Sequence, residues 1–165
     1  MRWRGKRLPL PERWVRSEVT ITASPERVWR VLSDFERYAE WNPLIVRVVG
    51  AARAGARLRA SVRAPGRRLV TLSPRVVGWE EGRELRLRAR LGPAWLLEAD
   101  HRFIIRPAGE GGSVRFEHSE RFSGLLVLAL SGLLKRDLAR GFAEMNEALR
   151  ARVEAWVGPA AGSAR

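Results

Sequence analysis

Residues 125–157, LLVLALSGLLKRDLARGFAEMNEALRARVEAWV, decide the fold. Leu134, Leu138, Phe142, Met145, Leu149, Val153 and Trp156 recur every three or four positions, which predicts one apolar stripe along a long helix. Gly132 kinks its start, and Gly158-Pro159 stops it. Gly141 falls inside the stripe, where a missing side chain either permits close packing or leaves space. Upstream the period changes from helical to alternating. Residues 57–63 (RLRASVR) and 85–91 (LRLRARL) place apolar and charged side chains on opposite faces, the mark of half-buried strands.

Working outward, residues 19–22, 44–49, 69–77, 95–106 and 113–122 read as further strands, seven in all. Pro65-Gly66, Glu81-Gly82 and Gly92-Pro93 turn the chain between them, with Ser73-Pro74 as an irregularity. From residue 44 onward every link is short, so the sheet is antiparallel. Two short helices follow the first strand. Ser24-Pro25-Glu26 opens the first, with Val28, Val31, Leu32 and Phe35 as its stripe. Asp34 is expected to cap the second, Phe35–Trp41, and Asn42-Pro43 ends it. The class is α+β: a curved seven-stranded antiparallel sheet around one long helix, leaving a cavity between them.

Composition excludes several chemistries. The 165 residues contain no cysteine, hence no disulfide, thiolate nucleophile or cysteine metal site. Two histidines cannot build a three-histidine zinc site. Nucleotide-binding glycine loops and the common hydrolase motifs are missing. Lys+Arg is 31 against Asp+Glu 18, a net charge of +13, and all but two of the cations are arginine. That skew reads as a genome-wide codon habit, so nucleic acid is not an expected partner. The longest uncharged apolar stretch, residues 125–134, is half the roughly 20 residues a bilayer span needs. The first 17 residues form a basic stretch broken by Pro9 and Pro11, with no apolar signal core. We expect an N-terminal arm (1–17), one domain (18–157), a tail (158–165) and a cytoplasmic protein. Contact of the arm with an anionic membrane surface stays open.

Five short motifs, in this order, resemble the START-like (SRPBCC) superfamily, and within it the polyketide cyclase/dehydrase and lipid-transport family of small bacterial proteins. They are residues 23–29 (ASPERVW), 41–43 (WNP), 101–103 (HRF), 118–124 (HSERFSG) and 141–146 (GFAEMN). The resemblance spans roughly residues 17–157 and implies a helix-grip fold with an apolar cavity. It implies no single reaction, since members include carriers, cyclases and binding modules.

Alternation assigns the cavity face. Val114, Phe116, His118, Glu120 and Phe122 share one side of the last strand; Leu97, Ala99, His101, Phe103 and Ile105 share one side of the strand before it. Pairing Arg106 with Ser113 sets His101 opposite His118 and Ala99 opposite Glu120. Pairing Val62 with Leu69 brings Ala60 opposite Thr71, on the same concave face. The expected apolar lining is Leu58, Ala60, Val62, Leu87, Phe103 and Phe116 from the sheet. Leu138, Gly141, Phe142 and Met145 add to it from the helix. Thr71, His101, His118 and Glu120 supply the polar end, a composition typical of small-molecule sites.

That polar cluster has several readings. It can satisfy itself structurally, orient a ligand, or move a proton, with His101, His118 and Glu120 as candidate catalytic groups. Two histidines and a carboxylate can also hold a metal, but their spacing matches no metal motif, so neither metal nor cofactor is expected. The convex face carries Arg86, Arg88, Arg90, Arg102, Arg115 and Arg121, partly neutralised by Glu98, Asp100 and Glu117. The expected function is binding of a small hydrophobic molecule, lipid- or polyketide-like. The alternatives are a cyclase or dehydratase acting on polyketide-like substrates, and a partner-binding or chaperone-like module using the arginine face. Oligomeric state is not legible.

Overall fold

The computed structural model describes residues 9–109 and 112–155. Residues 1–8 of the expected arm, loop residues 110–111, and Trp156 with the Gly158-Pro159 stop and the 158–165 tail lie outside them.

β1 (Glu12–Ile21) is followed by α1 (Pro25–Ser33), a 3-10 turn (Phe35–Arg37) and α2 (Tyr38–Trp41). Then come β2 (Ile45–Val49), β3 (Arg59–Val62), β4 (Val70–Leu72), β5 (Arg75–Glu80), β6 (Glu84–Leu91), β7 (Leu97–Pro107) and β8 (Val114–Ser123). A short α3 (Leu126–Ala129) and a π-helical segment (Leu133–Leu138) lead into α4 (Ala139–Ala155). The winding is irregular on both sides of Gly132, a short α-helix before it and a π-helical segment after it.

The single seven-stranded sheet is corrected. Among the described residues, eight strands form two antiparallel sheets: five in the order β1-β8-β7-β6-β5, and three in the order β2-β3-β4. Ser73-Pro74 is the physical reason: the expected strand 69–77 breaks there, because proline has no N–H for a ladder, and its halves join different sheets. An isolated Arg57–Arg75 bridge and the Leu58 N–H donating to Pro74 O (2.8 Å) link the two sheets.

β1 begins inside the stretch expected to be an arm. It pairs with β8 from Glu12–Ser123 to Ile21–Val114. Val15, Val19 and Ile21 point inward and are buried, while Trp14, Arg16, Glu18 and Thr20 point outward. The period-two signal was masked by the outward charges and by Ser17 on the inward side.

At α1, Ser24 Oγ accepts the Arg27 N–H at 3.4 Å and Pro25 occupies the first turn, as capping chemistry requires. Trp29, absent from the expected stripe, is buried and meets Trp79 edge-on at 5.0 Å. Asp34 makes no capping hydrogen bond; it pairs with Arg37 instead. Asn42 carries more weight: its buried Oδ1 accepts from Leu44 N (3.0 Å) and Ile45 N (2.8 Å), aiming the chain into β2.

α4 packs chiefly on β1 and α1. Phe142, Met145, Leu149 and Val153 of the expected stripe are fully buried, each worth roughly 1.5–3 kcal/mol of transfer free energy. At Gly141 a Cβ would come within 2.9 Å of Leu44 Cδ1 and 3.2 Å of Pro65 Cδ. The glycine therefore serves close packing, and the expectation that it lines a cavity is corrected.

Candidate functional site

Two register details decide which side chains meet. Across β7 and β8, His101 stands opposite Glu120 and Phe103 opposite His118. The expected pairing was offset by two residues, which changes partners but keeps each side chain on its face. Across β3 and β4, Ala60 stands opposite Leu72, and Ser61 opposite Thr71. Here the offset is one residue, so Thr71 is exposed on the outer face and Leu72 replaces it inside. The Ala64–Arg67 turn forms with Gly66 at φ +72°, but one extra residue after it shifts the ladder.

A cleft opens between the two sheets, roofed by the 3-10 turn and α2. Ile45, Val48, Leu58, Ala60 and Val62 form one wall; Leu87, Ala89, Ala99, His101 and Glu120 form the other. Leu72 and Pro74 close one side, and Phe35 and Tyr38 the other. About 40 Å³ is open to water-sized bodies, room for a few waters, within about 480 Å³ of empty volume that runs out to solvent. Ala60, Ala89 and Ala99 create the space, since larger side chains at these positions would fill it.

Of the expected lining, Leu58, Ala60, Val62, Leu87, His101 and Glu120 are in these walls. Phe103, Phe116, His118, Phe142 and Met145 are fully buried behind them in the core, and Leu138 packs half-buried on the core elsewhere. The cleft thus lies between sheets, not between sheet and α4. Helical periodicity marks the buried face of α4 but cannot tell packed core from cavity wall.

The polar groups form a chain from cleft to β1. His101 Nδ1 lies 3.8 Å from Glu120 Oε1. His101 Nε2 and His118 Nε2 are 2.5 Å apart. His118 Nδ1 is 3.0 Å from Asn146 Oδ1, and Asn146 Nδ2 donates to Ser17 Oγ at 3.0 Å. His118 stacks on Phe142 with ring centres 3.7 Å apart, which fixes its plane. Asn146 and Ser17 were missed from the sequence. The available signal was a polar residue four positions after Phe142, inside an apolar stripe.

Burial sets the protonation of this chain. It pushes His101 down to about 3, against a smaller opposing pull from Asp100. Burial first, then the neighbouring His101, holds His118 well below the usual histidine range, although its bond to Asn146 acts the other way. Burial pushes Glu120 up to about 8, with the Asp100 charge adding to the effect. The His101 and Glu120 side chains keep 13% and 12% exposure into the cleft, so both remain reachable. Both imidazoles are neutral at pH 7, and they face each other. Two nitrogens bound to one zinc, at about 2.0–2.1 Å each, would stand farther apart than 2.5 Å. Among the described residues no three histidine, aspartate or glutamate side chains stand close enough together to hold a metal ion.

On the outer face several arginines are paired. Arg86 grips Asp100 with two bonds of 2.6 and 2.7 Å, and Arg88 adds a third at 2.9 Å. Burial raises the Asp100 carboxyl, but these bonds outweigh it and hold the group below its ordinary value. Arg90 meets Glu98, Arg102 meets Glu84, and Arg106 meets Glu117. No described helix is long and apolar enough to cross a membrane.

The fold has counterparts among known proteins. The structure is similar to the Zhui aromatase/cyclase from Streptomyces sp. R1128, at 18% identity and TM-score 0.74 over 92% of this chain and 99% of that one. It is similar to a START superfamily protein from Mycobacterium smegmatis, at 25% identity and TM-score 0.68 over 86% and 97%. It is also similar to truncated norcoclaurine synthase from Thalictrum flavum, at 13% identity and TM-score 0.71 over 92% and 99%. These likenesses establish the helix-grip, START-like fold. A search of curated protein sequences finds no match. The model of one sequence family, however, matches residues 13–154, nearly the whole described chain. The chain therefore belongs to the polyketide cyclase/dehydrase and lipid transport family.

Proposed function

We propose that this protein binds a small hydrophobic molecule, lipid- or polyketide-like, in the cleft between its two sheets. The observation that carries the reading is the make-up of the cleft: aliphatic and aromatic walls with two polar side chains, His101 and Glu120, at one end. Family membership supports a ligand-binding or cyclase role. The cleft is narrow as it stands, so a ligand must spread the sheets. Among the described residues the backbone ties between the sheets are few, one bridge and some loop hydrogen bonds, so what must part is mainly the apolar packing of Ile45, Val48, Leu58 and Ala60.

A second reading, a cyclase or dehydratase, is favoured by one observation: Glu120 holds its proton near neutrality and faces both the cleft and His101. A carboxyl of that kind suits general acid–base catalysis. The arginine face offers less to a partner, because its central cations are already committed to carboxylates.

The test is native mass spectrometry of the purified protein together with thermal-shift titration against an apolar library. A co-purifying apolar molecule, or a saturable rise in melting temperature, is the expected result. Bare protein in every spectrum and no shift with any compound would remove the reading.

A further inference from the structure

The polar end of the cleft has an asymmetry that selects among ligands. Tyr38 lines the cleft, but its hydroxyl hydrogen is given to Leu32 O at 2.6 Å and is not offered to a ligand. His101 Nδ1 and Glu120 Oε1 remain, 3.8 Å apart: too far for a direct hydrogen bond, close enough for one oxygen atom to touch both.

The hydrogen-bond chain behind His101 decides what its Nδ1 offers. Asn146 Nδ2 donates to Ser17 Oγ, so Asn146 Oδ1 faces His118 and can only accept. His118 therefore carries its hydrogen on Nδ1 and a lone pair on Nε2. His101 Nε2, 2.5 Å away, must bring the hydrogen. A neutral His101 is left with a lone pair on Nδ1, turned towards Glu120 and the cleft. Among the described residues no arginine or lysine pairs with Glu120: Arg86 and Arg88 bond to Asp100, which points to the opposite face of β7. Its carboxyl keeps its proton and supplies one donor.

One acceptor and one donor thus stand side by side, 3.8 Å apart, where a single oxygen atom lying off the line between them reaches both at hydrogen-bond distance. Resting on the cavity reading above, we propose that the cleft selects a neutral apolar molecule bearing a hydroxyl group, a phenol or alcohol. Its O–H donates to His101 Nδ1, and its oxygen accepts from the Glu120 carboxyl. An ether accepts but cannot donate. A carboxylate has no hydrogen for His101 and would carry a charge into an apolar cleft. An ammonium would be accommodated only by ionising Glu120.

Equilibrium binding at pH 7, read by ligand fluorescence, tests this with 1-naphthol, 1-methoxynaphthalene, 1-naphthoate and 1-naphthylmethylamine. Naphthol is expected to bind about tenfold more tightly than its methyl ether, the value of one neutral hydrogen bond, and naphthoate more weakly still. His101→Phe should bring naphthol and ether within about twofold, whereas Glu120→Leu should weaken both ligands and keep most of the difference between them, and Glu120→Gln, which still offers an N–H, should recover most of that common loss. If a variant fails to fold, the wild-type ligand series decides alone. Equal binding of naphthol and ether overturns hydroxyl selection and leaves the cleft as a plain apolar site. Tightest binding by naphthoate or by the amine overturns it in favour of an ionic site. No saturable binding by any of the four removes the cavity reading as well.

Discussion

Replacing Glu120 with glutamine should change how stability depends on pH. In the folded protein the Glu120 carboxyl is raised to about 8, against 4.5 when solvated. Between those values the native state holds a proton that the unfolded chain has released, so stability falls as pH rises. The histidines act oppositely. His101 titrates at about 3 when folded against 6.5 unfolded, and His118 shifts the same way, so both add stability as pH rises towards 6.5. From 4.5 to 6.5 two rising contributions outweigh one falling one; above 6.5 only Glu120 remains. Glu12, Glu26 and Asp100 are shifted downward and have finished titrating by then. Wild-type stability should therefore peak near pH 6.5 and decline towards pH 8. One proton corresponds to about 1.4 kcal/mol per pH unit, so the decline is roughly 2 kcal/mol, less where cleft water eases the desolvation. Glu120→Gln should rise to the same pH and then stay level. Urea unfolding followed by tryptophan fluorescence from pH 5 to 9 measures both curves. A wild type that is level from 6.5 to 8, or a glutamine variant with the same decline, would refute the buried, protonated carboxyl.

Other perturbations probe the scaffold. Asn146→Leu strands the buried His118 N–H and should cost roughly 1–3 kcal/mol; denaturant midpoints of wild type and variant check it. Gly141→Val should cost roughly 1–3 kcal/mol by overpacking against Leu44 and Pro65, and a calorimetric melting temperature at or above wild type would contradict the close packing. Ala99→Phe should fill the cleft and abolish binding of apolar ligands while leaving the far-ultraviolet circular dichroism of the fold intact.

Much of this was legible in the residues, for physical reasons that also mark where legibility ended. Alternation in β6, β7 and β8 identified the inward faces, because each of those strands has one wet and one dry side. It could not identify the partner across the ladder: a two-residue offset leaves every face unchanged, so His101 was placed opposite His118 when Glu120 stands there. β4 failed differently. Its three residues are all exposed, so no burial contrast pinned its register, and an offset of one put Thr71 outside. The division into two sheets hinged on Ser73-Pro74, readable as an irregularity but not as a change of sheet. The α4 stripe located Phe142, Met145 and Leu149 in the interior. Whether they line space or fill it depends on the opposing wall, where Ala60, Ala89 and Ala99 put the opening between the sheets instead. Asn146 was the informative exception in that stripe: a buried amide among apolar neighbours needs partners, and it has them in His118 and Ser17.

The central claim is the location of the ligand. Methyl NMR with a bound apolar probe such as 1-naphthol tests it most directly, through ligand–protein nuclear Overhauser contacts. The account predicts contacts to the methyls of Leu58, Val62, Leu72 and Leu87, which face the cleft, and none to Met145 or Leu149, which are sealed in the core. Contacts to the α4 methyls, with none to Leu72, would contradict it and place the ligand between helix and sheet.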